Sequence, residues 1–383
     1  MFILHLPSWF PNDKNPLHGN FIEKHIAAIS KFQKCVTLRV VRVEKKNGFH
    51  GISTVNDNNI LVEFSILKRS SFLGKVWMKL CEYYFYRKGM KTILQKFGKP
   101  QLIHLHVALP IGKIAVRWSK KWKTPLVLTE HWSIYNTNNR GFITPSQQRK
   151  FCRIFAALSG ITTVSNSLLN NIEELFPVKR SAVIYNVVNT ELFIPQKNSN
   201  FPKKILHISN LDERAKNFLG ILESVQMLRN RRSDFILEVI HDFRCCKAES
   251  FVKEQQLEKF VHFLGSMPEE QVAMKMRESD FFLLFSNYEN LPCVLLEAIS
   301  CGKPLITTPV GGIPEIVNEE IGIFVEPDNI QQLTEKLDFM LQHFENFNEY
   351  NAHQYAENHF SNEVIGQQFL EFYKSVIHSN HIN

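Results

Sequence analysis

No apolar run in this chain approaches the ~18 residues that a membrane span needs. The opening stretch MFILHLPSWFP has no basic n-region and is broken by Pro7 and Pro11, so it does not read as a signal peptide. The seven cysteines (Cys35, Cys81, Cys152, Cys245, Cys246, Cys293 and Cys301) are odd in number and contain no CxxC spacing. That argues against a structural zinc site and a secreted disulfide framework, and it fits a reducing cytoplasm. The adjacent Cys245–Cys246 lacks the CxxC turn, so two buried or inert thiols are expected there. Internal short repeats, low-complexity segments and a DxD loop for a divalent ion are all missing. So is the basic–aromatic signature of the known nucleic-acid modules. The expectation is a protein that is soluble or peripheral to a membrane.

What is present is enough chain for two cores. The 383 residues suit two domains of about 150 residues each. The net charge of +8 is unevenly divided. Residues 1–200 hold 29 Lys and Arg against 10 Asp and Glu, or +19. Residues 201–383 hold 16 against 27, or −11. A basic half suggests an anionic partner such as nucleic acid, a membrane face or a phosphorylated substrate; the plainer reading is solvated surface.

Short apolar runs alternate with helical patterns along most of the chain. In the first half, Phe2–Leu6, Thr37–Val43, Ile60–Ile66, Gln101–Val107, Leu126–Thr129, Ile161–Val164 and Ala182–Tyr185 read as strands. Amphipathic stretches such as Phe21–Phe32 and Ser71–Phe97 lie between them. After the polar, proline-closed break at residues 198–202 the alternation resumes with Lys204–Ile208, Phe235–Ile240, Val261–Leu264, Phe281–Phe285, Leu305–Thr307 and Ile323–Val325. Continuous apolar strands separated by helices imply parallel sheets covered on both faces. The predicted architecture is α/β, two doubly wound domains in tandem with a helical tail after Asn329. Ligands of such sheets bind at the strand carboxyl ends, and two domains facing each other there make a cleft.

The segment Phe281–Val317 carries the clearest chemistry. A strand ends at Ser286, a polar loop Asn287-Tyr288-Glu289-Asn290 follows, and Pro292 opens a helix that stops near Cys301-Gly302. The free N–H groups of such a helix start can hold a diphosphate. Glu289, in the loop, can accept hydrogen bonds from neutral hydroxyls. Glu297 lies about one and a half turns into the helix. One carboxylate for a sugar and one for a ribose is a plausible division. The plainer alternative makes Glu289 a solvated loop residue and Glu297 a surface charge.

Glu289 and Glu297, with seven residues between them and followed by AISCGKPLITTPVGGIPEIV, resemble the EX7E signature of glycosyltransferase family 4. The resemblance runs through PSWFPNDKNPLHGNF, IHLHVALPIGKIA, LVLTEHW and VIYNVVNTELF to the closing FSNEVIGQQFLEFY. It implies the GT-B fold: two Rossmann-like domains facing across a cleft, with the C-terminal helix crossing back to the first. Residues 1–195 and 361–383 would form the acceptor-binding domain, and residues 203–360 the nucleotide-sugar-binding domain.

The resemblance also implies roles. Glu289 would contact hydroxyls of the donor sugar, with Asn290 and Leu291 beside it, and Glu297 would hold the ribose. Lys216 would pair with the donor diphosphate; otherwise it is a solvated lysine at a helix start, where the dipole disfavours it. The family's second cation stands six residues earlier, where this chain has Asn210, and Arg214 is a nearby substitute. His131 matches the histidine near the transferred sugar, although an isolated histidine is more often structural. Gly19, in the first strand-to-helix loop, and Gly311 and Gly312 would let backbone approach the donor; a plain tight turn is the alternative. His104 and His106 are read as alternating across one strand, so that only one reaches the cleft, and His106 is assigned to the acceptor side.

The implied reaction is retaining transfer, without metal or other cofactor, from a UDP- or GDP-linked sugar to a saccharide or lipid-linked saccharide, as in bacterial surface-polysaccharide assembly. The implied setting is the cytoplasm, with possible peripheral attachment to the inner membrane face through residues 68–99. That stretch interleaves basic and aromatic residues on a helix, which either lies on an anionic membrane or packs on a core with a solvated basic face. A catalytically inactive GT-B accessory or binding subunit is the other class of function, favoured by Asn210 and by Val187 where the family often has glycine.

Overall fold

The computed structural model describes residues 2–12, 17–43, 51–56, 58–197, 201–242 and 245–379. They form two compact units, Met1–Tyr185 with Asn362–Asn383, and Asn186–Ser361.

The first unit runs β1 (Ile3–Pro7), α1 (Asn20–Ser30), β2 (Cys35–Val43), β3 (Gly51–Asn56), β4 (Asn59–Leu67), α2 (Phe72–Phe97), β5 (Leu102–His106), α3 (Gly112–Trp122), β6 (Leu126–Glu130), α4 (Pro145–Phe155), β7 (Gly160–Thr163), α5 (Asn166–Glu173) and β8 (Ser181–Val183). Its eight-stranded sheet has the order β3-β4-β2-β1-β5-β6-β7-β8. Every residue of β1, β5 and β6 is buried, so these strands carry apolar residues on both faces, with His5, His104, His106, Thr129 and Glu130 buried among them. All pairings are parallel except β3 with β4. That edge strand, GISTVN, is the one the sequence reading missed. It is polar and largely exposed, so no hydrophobic period marks it. Helix starts follow capping chemistry: Ser71 Oγ accepts from Gly74 N at 3.1 Å, and Thr144 and Gln147 form a reciprocal box with Pro145 at the first helical position.

The second unit runs β9 (Lys203–Ser209), α6 (Glu213–Lys216), α7 (Phe218–Leu228), β10 (Phe235–His241), α8 (Cys246–Glu254), β11 (Val261–Gly265), α9 (Glu269–Glu278), β12 (Phe281–Leu284), α10 (Cys293–Ser300), β13 (Leu305–Thr307), β14 (Gly322–Phe324), α11 (Ile330–His343) and α12 (Glu349–Phe360). Its six strands, all parallel, have the order β11-β10-β9-β12-β13-β14. The last helix, α13 (Asn362–Ser379), belongs to the first unit. It lies so close to α1 that a Cβ on Gly366 would stand 2.5 Å from Ala28 O.

One expectation needs correction. The passage between units falls at Tyr185/Asn186, ten residues before the expected end of the first domain. Residues 186–196 are fastened to the second unit instead: Asn186 Nδ2 donates to Leu291 O at 2.9 Å, Val188 N to Phe360 O at 3.0 Å, and Ser300 Oγ to Phe193 O at 2.6 Å. The polar break at 198–200 lies outside the described residues. Cys245 is half-buried and Cys246 is exposed at the start of α8, which removes the buried alternative for the pair and leaves the inert one. Among the described residues no helix is long and apolar enough to cross a membrane.

Candidate functional site

In the second unit the chemistry gathers at the carboxyl ends of β9 and β12. Strand β12 delivers a fully buried Ser286, whose carbonyl accepts from Thr308 Oγ1 at 2.6 Å. The loop then turns back so that Ser286 Oγ donates to Glu289 Oε1 at 2.8 Å. Lys216 Nζ donates to the same carboxylate oxygen in an ion pair. Both side chains are largely withdrawn from solvent, at 16% exposure for Lys216 and 11% for Glu289, so this contact is more than a screened surface pair.

Lys216 is held by a local device. Asp212 caps the short helix α6, its Oδ1 accepting from Arg214 N at 3.1 Å. Asn287 N donates to Ala215 O at 2.8 Å and ties the loop after β12 to that helix. Lys216 closes α6 and stands directly before Asn217, the N-cap of α7, so it does lie at a helix start, but its 16% exposure does not fit the solvated alternative. The dipole there disfavours a lone cation, and the Glu289 carboxylate offsets it.

Gly311 explains how two loops meet. Its φ is +59°, and a Cβ there would stand 2.1 Å from Glu289 O. Gly312 has an ordinary φ of −86°, and its N–H donates to Asn290 O at 2.7 Å. Leu291 is buried. Glu297 is the fifth residue of α10 and is itself buried, which rules out the surface-charge alternative for it. Asn210 is exposed and its Oδ1 accepts from Asp212 N at 3.1 Å, so it serves its own turn. Arg214 is exposed, with its guanidinium 5.8 Å from the Tyr288 ring in the Glu289 loop.

Sequence reasoning missed His207. It is buried on β9, with Nδ1 2.9 Å from Leu283 O and Nε2 2.8 Å from Ser209 Oγ. Burial holds it neutral, at about 4, and the nearby Lys216 charge acts in the same direction. A lone imidazole inside the apolar run KKILHIS was the available signal.

The first unit gathers a second set of side chains. Gly19 has φ +75°, and a Cβ there would stand 2.8 Å from Trp9 C. His131 packs at 4.5 Å from Phe21 and 5.3 Å from His25 between ring centroids, and its Nε2 is closed to solvent. Burial drives it well below the ordinary imidazole range. The preceding Glu130, also missed, is fully buried. Its carboxylate accepts from Ala108 N at 3.0 Å and from His131 N, Trp132 N and Tyr135 Oη at 3.1 Å each, fixing the loop that carries His131. Burial raises it to about 7 against the pull of those hydrogen bonds.

The reading of His104 and His106 was wrong. Residues two apart on a strand share a face, and the two rings lie 3.9 Å apart. Both are buried. His106 Nε2 lies 3.0 Å from His5 Nδ1, while His104 reaches Tyr373 Oη and Thr129 Oγ1 at 2.6 Å each. His106 is thus enclosed in the core rather than presented to an acceptor. Nitrogens of His5, His104 and His106 lie within 4.8 Å of one another, a spacing open to a metal ion, but the hydrogen bonds just described already occupy a nitrogen of each ring. A separate hollow of about 330 Å³ opens beside the carboxyl ends of β1 and β2, bordered by Ser8, Phe10, His18, Arg39, Arg42 and Glu82 among others.

Two doubly wound units and a returning C-terminal helix define a GT-B glycosyltransferase fold. The Anabaena protein Alr3699/HepE, solved with UDP and with UDP-glucose, superposes with a TM-score of 0.72 at 17% identity over 98% of this chain and 100% of that one. Residues 67–192 match Glycosyltransferase Family 4 and residues 189–356 match Glycosyl transferases group 1. The chain belongs to glycosyltransferase family 4. An uncharacterized glycosyltransferase of Methanocaldococcus jannaschii is 29% identical over 261 residues, 64% of this chain and 67% of that protein. The putative teichuronic acid biosynthesis glycosyltransferase TuaC of Bacillus subtilis is 24% identical over 361 residues, 88% of each chain.

Proposed function

We propose that the protein is a retaining, metal-independent glycosyltransferase. It moves a sugar from a UDP- or GDP-linked donor to a saccharide or lipid-linked saccharide in bacterial surface-polysaccharide biosynthesis, on the cytoplasmic side. The observation that carries this reading is the Lys216–Glu289–Ser286 cluster at the strand carboxyl ends, with Gly311 bringing backbone against it.

Lys216 and Glu289 neutralise one another in the structure. A donor diphosphate placed at Lys216 supplies a competing anion and frees Glu289 to accept hydrogens from the sugar hydroxyls. The charge that develops on the leaving phosphate is then met by Lys216 and by backbone N–H groups at the start of α10. The buried Glu297 holds the ribose. The acceptor hydroxyl attacks the face the diphosphate leaves, and the departing phosphate oxygen takes its proton, so the protein acts mainly by positioning. Arg214 is the cation nearest to the role that Asn210 does not fill. UDP is supported as the nucleotide by the UDP-bound relative of this fold, and a surface polysaccharide by the name of TuaC. The hollow beside β1 and β2, with its arginines, Phe10 and Glu82, suits a polyhydroxylated acceptor.

The test is a thermal-shift series against UDP-, GDP- and ADP-sugars, followed by transfer assays with the donor that binds. A ligand of the folded state raises the midpoint. One sugar nucleotide should stabilise the wild type and lose its effect in Lys216→Ala, and turnover should persist in excess EDTA. If none of the three classes shifts the midpoint, the donor reading fails; if EDTA abolishes turnover and Mg²⁺ or Mn²⁺ restores it, the metal-free mechanism fails.

A further inference from the structure

Helix α2 is apolar on two faces. One face carries Gly74, Met78, Tyr86, Gly89, Met90 and Ile93, all buried. Gly89 lets it close on the sheet, since a Cβ there would stand 2.4 Å from Leu38 Cδ1. The other face carries Leu73, Val76, Trp77, Leu80 and Tyr84, at the spacing of a second helical stripe. All five are exposed, Leu73 at 78%, and Phe72 beside them reaches 80%. Single exposed apolar residues need no explanation, but a contiguous stripe marks a contact surface.

The surroundings decide what kind of contact. Arg87 and Lys91 continue the same stripe toward the helix end, both exposed. The Arg69 guanidinium lies 4.4 Å from the Trp77 ring, and that of Arg117, on α3, lies 5.3 Å from the Tyr83 ring. Residues 68–123 contain fourteen lysines and arginines and one acid, Glu82. That acid is engaged by Arg42 at 2.6 Å. A second copy laid on this face would set like charges against one another. An anionic lipid surface would accept the apolar stripe and the cations together.

We propose that the solvent face of α2, flanked by Arg69 and Arg117, docks the protein on an anionic membrane surface. This names the setting for a lipid-linked acceptor and so deepens the function proposed above, but it rests on α2 rather than on the donor site.

Vesicle flotation of the whole protein tests it. Phosphatidylcholine vesicles with and without phosphatidylglycerol serve as probes, at low and high salt, alongside light scattering for mass in solution. Wild type should float with the anionic vesicles at low salt, weaken as salt shortens the screening length, and stay behind with phosphatidylcholine alone. Changing Arg69, Arg87, Lys91 and Arg117 to Gln should lower the partition coefficient by about fivefold per charge. The triple change Leu73→Ser, Trp77→Ser and Leu80→Ser should abolish flotation while leaving sugar-nucleotide stabilisation intact, which also shows that the variant folds. The proposal is overturned by wild type failing to float at low salt, by the triple variant floating undiminished, or by a dimer that the triple change converts to monomer. None of those results bears on the donor site, which is read separately by sugar-nucleotide stabilisation.

Discussion

At the scale of single residues, the donor-site candidates were legible in part. Glu289 and Glu297 stand close together in the chain, and their spacing drew attention to them. Their environments did not show in the sequence. Lys216 and Glu289 are 73 positions apart, and only the fold reveals that they share an ion pair with Ser286 behind it. Because they touch, their effects should not add. Lys216→Ala and Glu289→Ala are each expected to cut kcat/KM by about two powers of ten, and the double variant by clearly less than the product of the two. Steady-state kinetics on the three proteins measures this; fully multiplicative losses would mean the two residues act independently. Glu130 makes the opposite case, a residue passed over in LVLTEHW although it holds the next two residues in place. In Glu130→Gln an amide NH₂ replaces one accepting oxygen and faces a backbone or tyrosine donor. Leaving buried donors unmatched costs about 1–3 kcal/mol. The melting midpoint should fall by a few degrees, and an unchanged midpoint would deny Glu130 its place in that loop.

At the scale of elements, strands were readable where burial was complete. Leu305–Thr307 was predicted to the residue, because three apolar or β-branched residues lie between Pro304 and Thr308. β3 was invisible because an exposed antiparallel edge needs no apolar pattern. His104 and His106 were misplaced by misjudging the period of a strand, not by lack of signal. Loop contacts were out of reach as well: nothing in PVGG says that Gly311 meets the backbone of Glu289. The conformations there separate the two glycines. Gly311→Ala meets both a positive φ and a backbone oxygen, whereas Gly312 already has an ordinary φ of −86° that alanine can adopt. Gly311→Ala should displace the Glu289 loop and weaken donor binding at least about tenfold, with Gly312→Ala much closer to wild type. Donor titrations on both proteins decide it, and equal effects would show that the close approach at Gly311 is unimportant.

At the scale of the whole molecule, two doubly wound units were legible from alternation and the returning helix from the family resemblance of FSNEVIGQQFLEFY, while the passage at Tyr185/Asn186 was not, since residues 186–196 have no strand or helix period. The deepest asymmetry between the units is their buried histidine. His5, His25, His104, His106 and His131 all lie in the first unit, and burial lowers every one, His5 to about 3 and His25 to about 4. In the second unit His207 is lowered to about 4. The unfolded chain takes up protons on these rings near the ordinary value of about 6.5, while the folded chain does not. Stability is therefore complete above that value and is lost as pH falls from about 6.5 toward 4, by about 1 kcal/mol per ring per pH unit. Glu130 opposes this: raised to about 7, it keeps a proton that the unfolded chain gives up near 4.5, so its contribution favours folding at low pH and fades as pH rises through that window. One carboxyl does not offset five imidazoles. The first unit should accordingly yield before the second on acidification. Hydrogen exchange at pH 7.5 and 5.5 reads the two units separately: protection in β1, β5 and β6 should drop at pH 5.5 while β9, β12 and β13 keep most of theirs. Equal protection of both units at pH 5.5, or a melting midpoint that does not move between the two pH values, would mean that the buried histidines are not what limits the first unit.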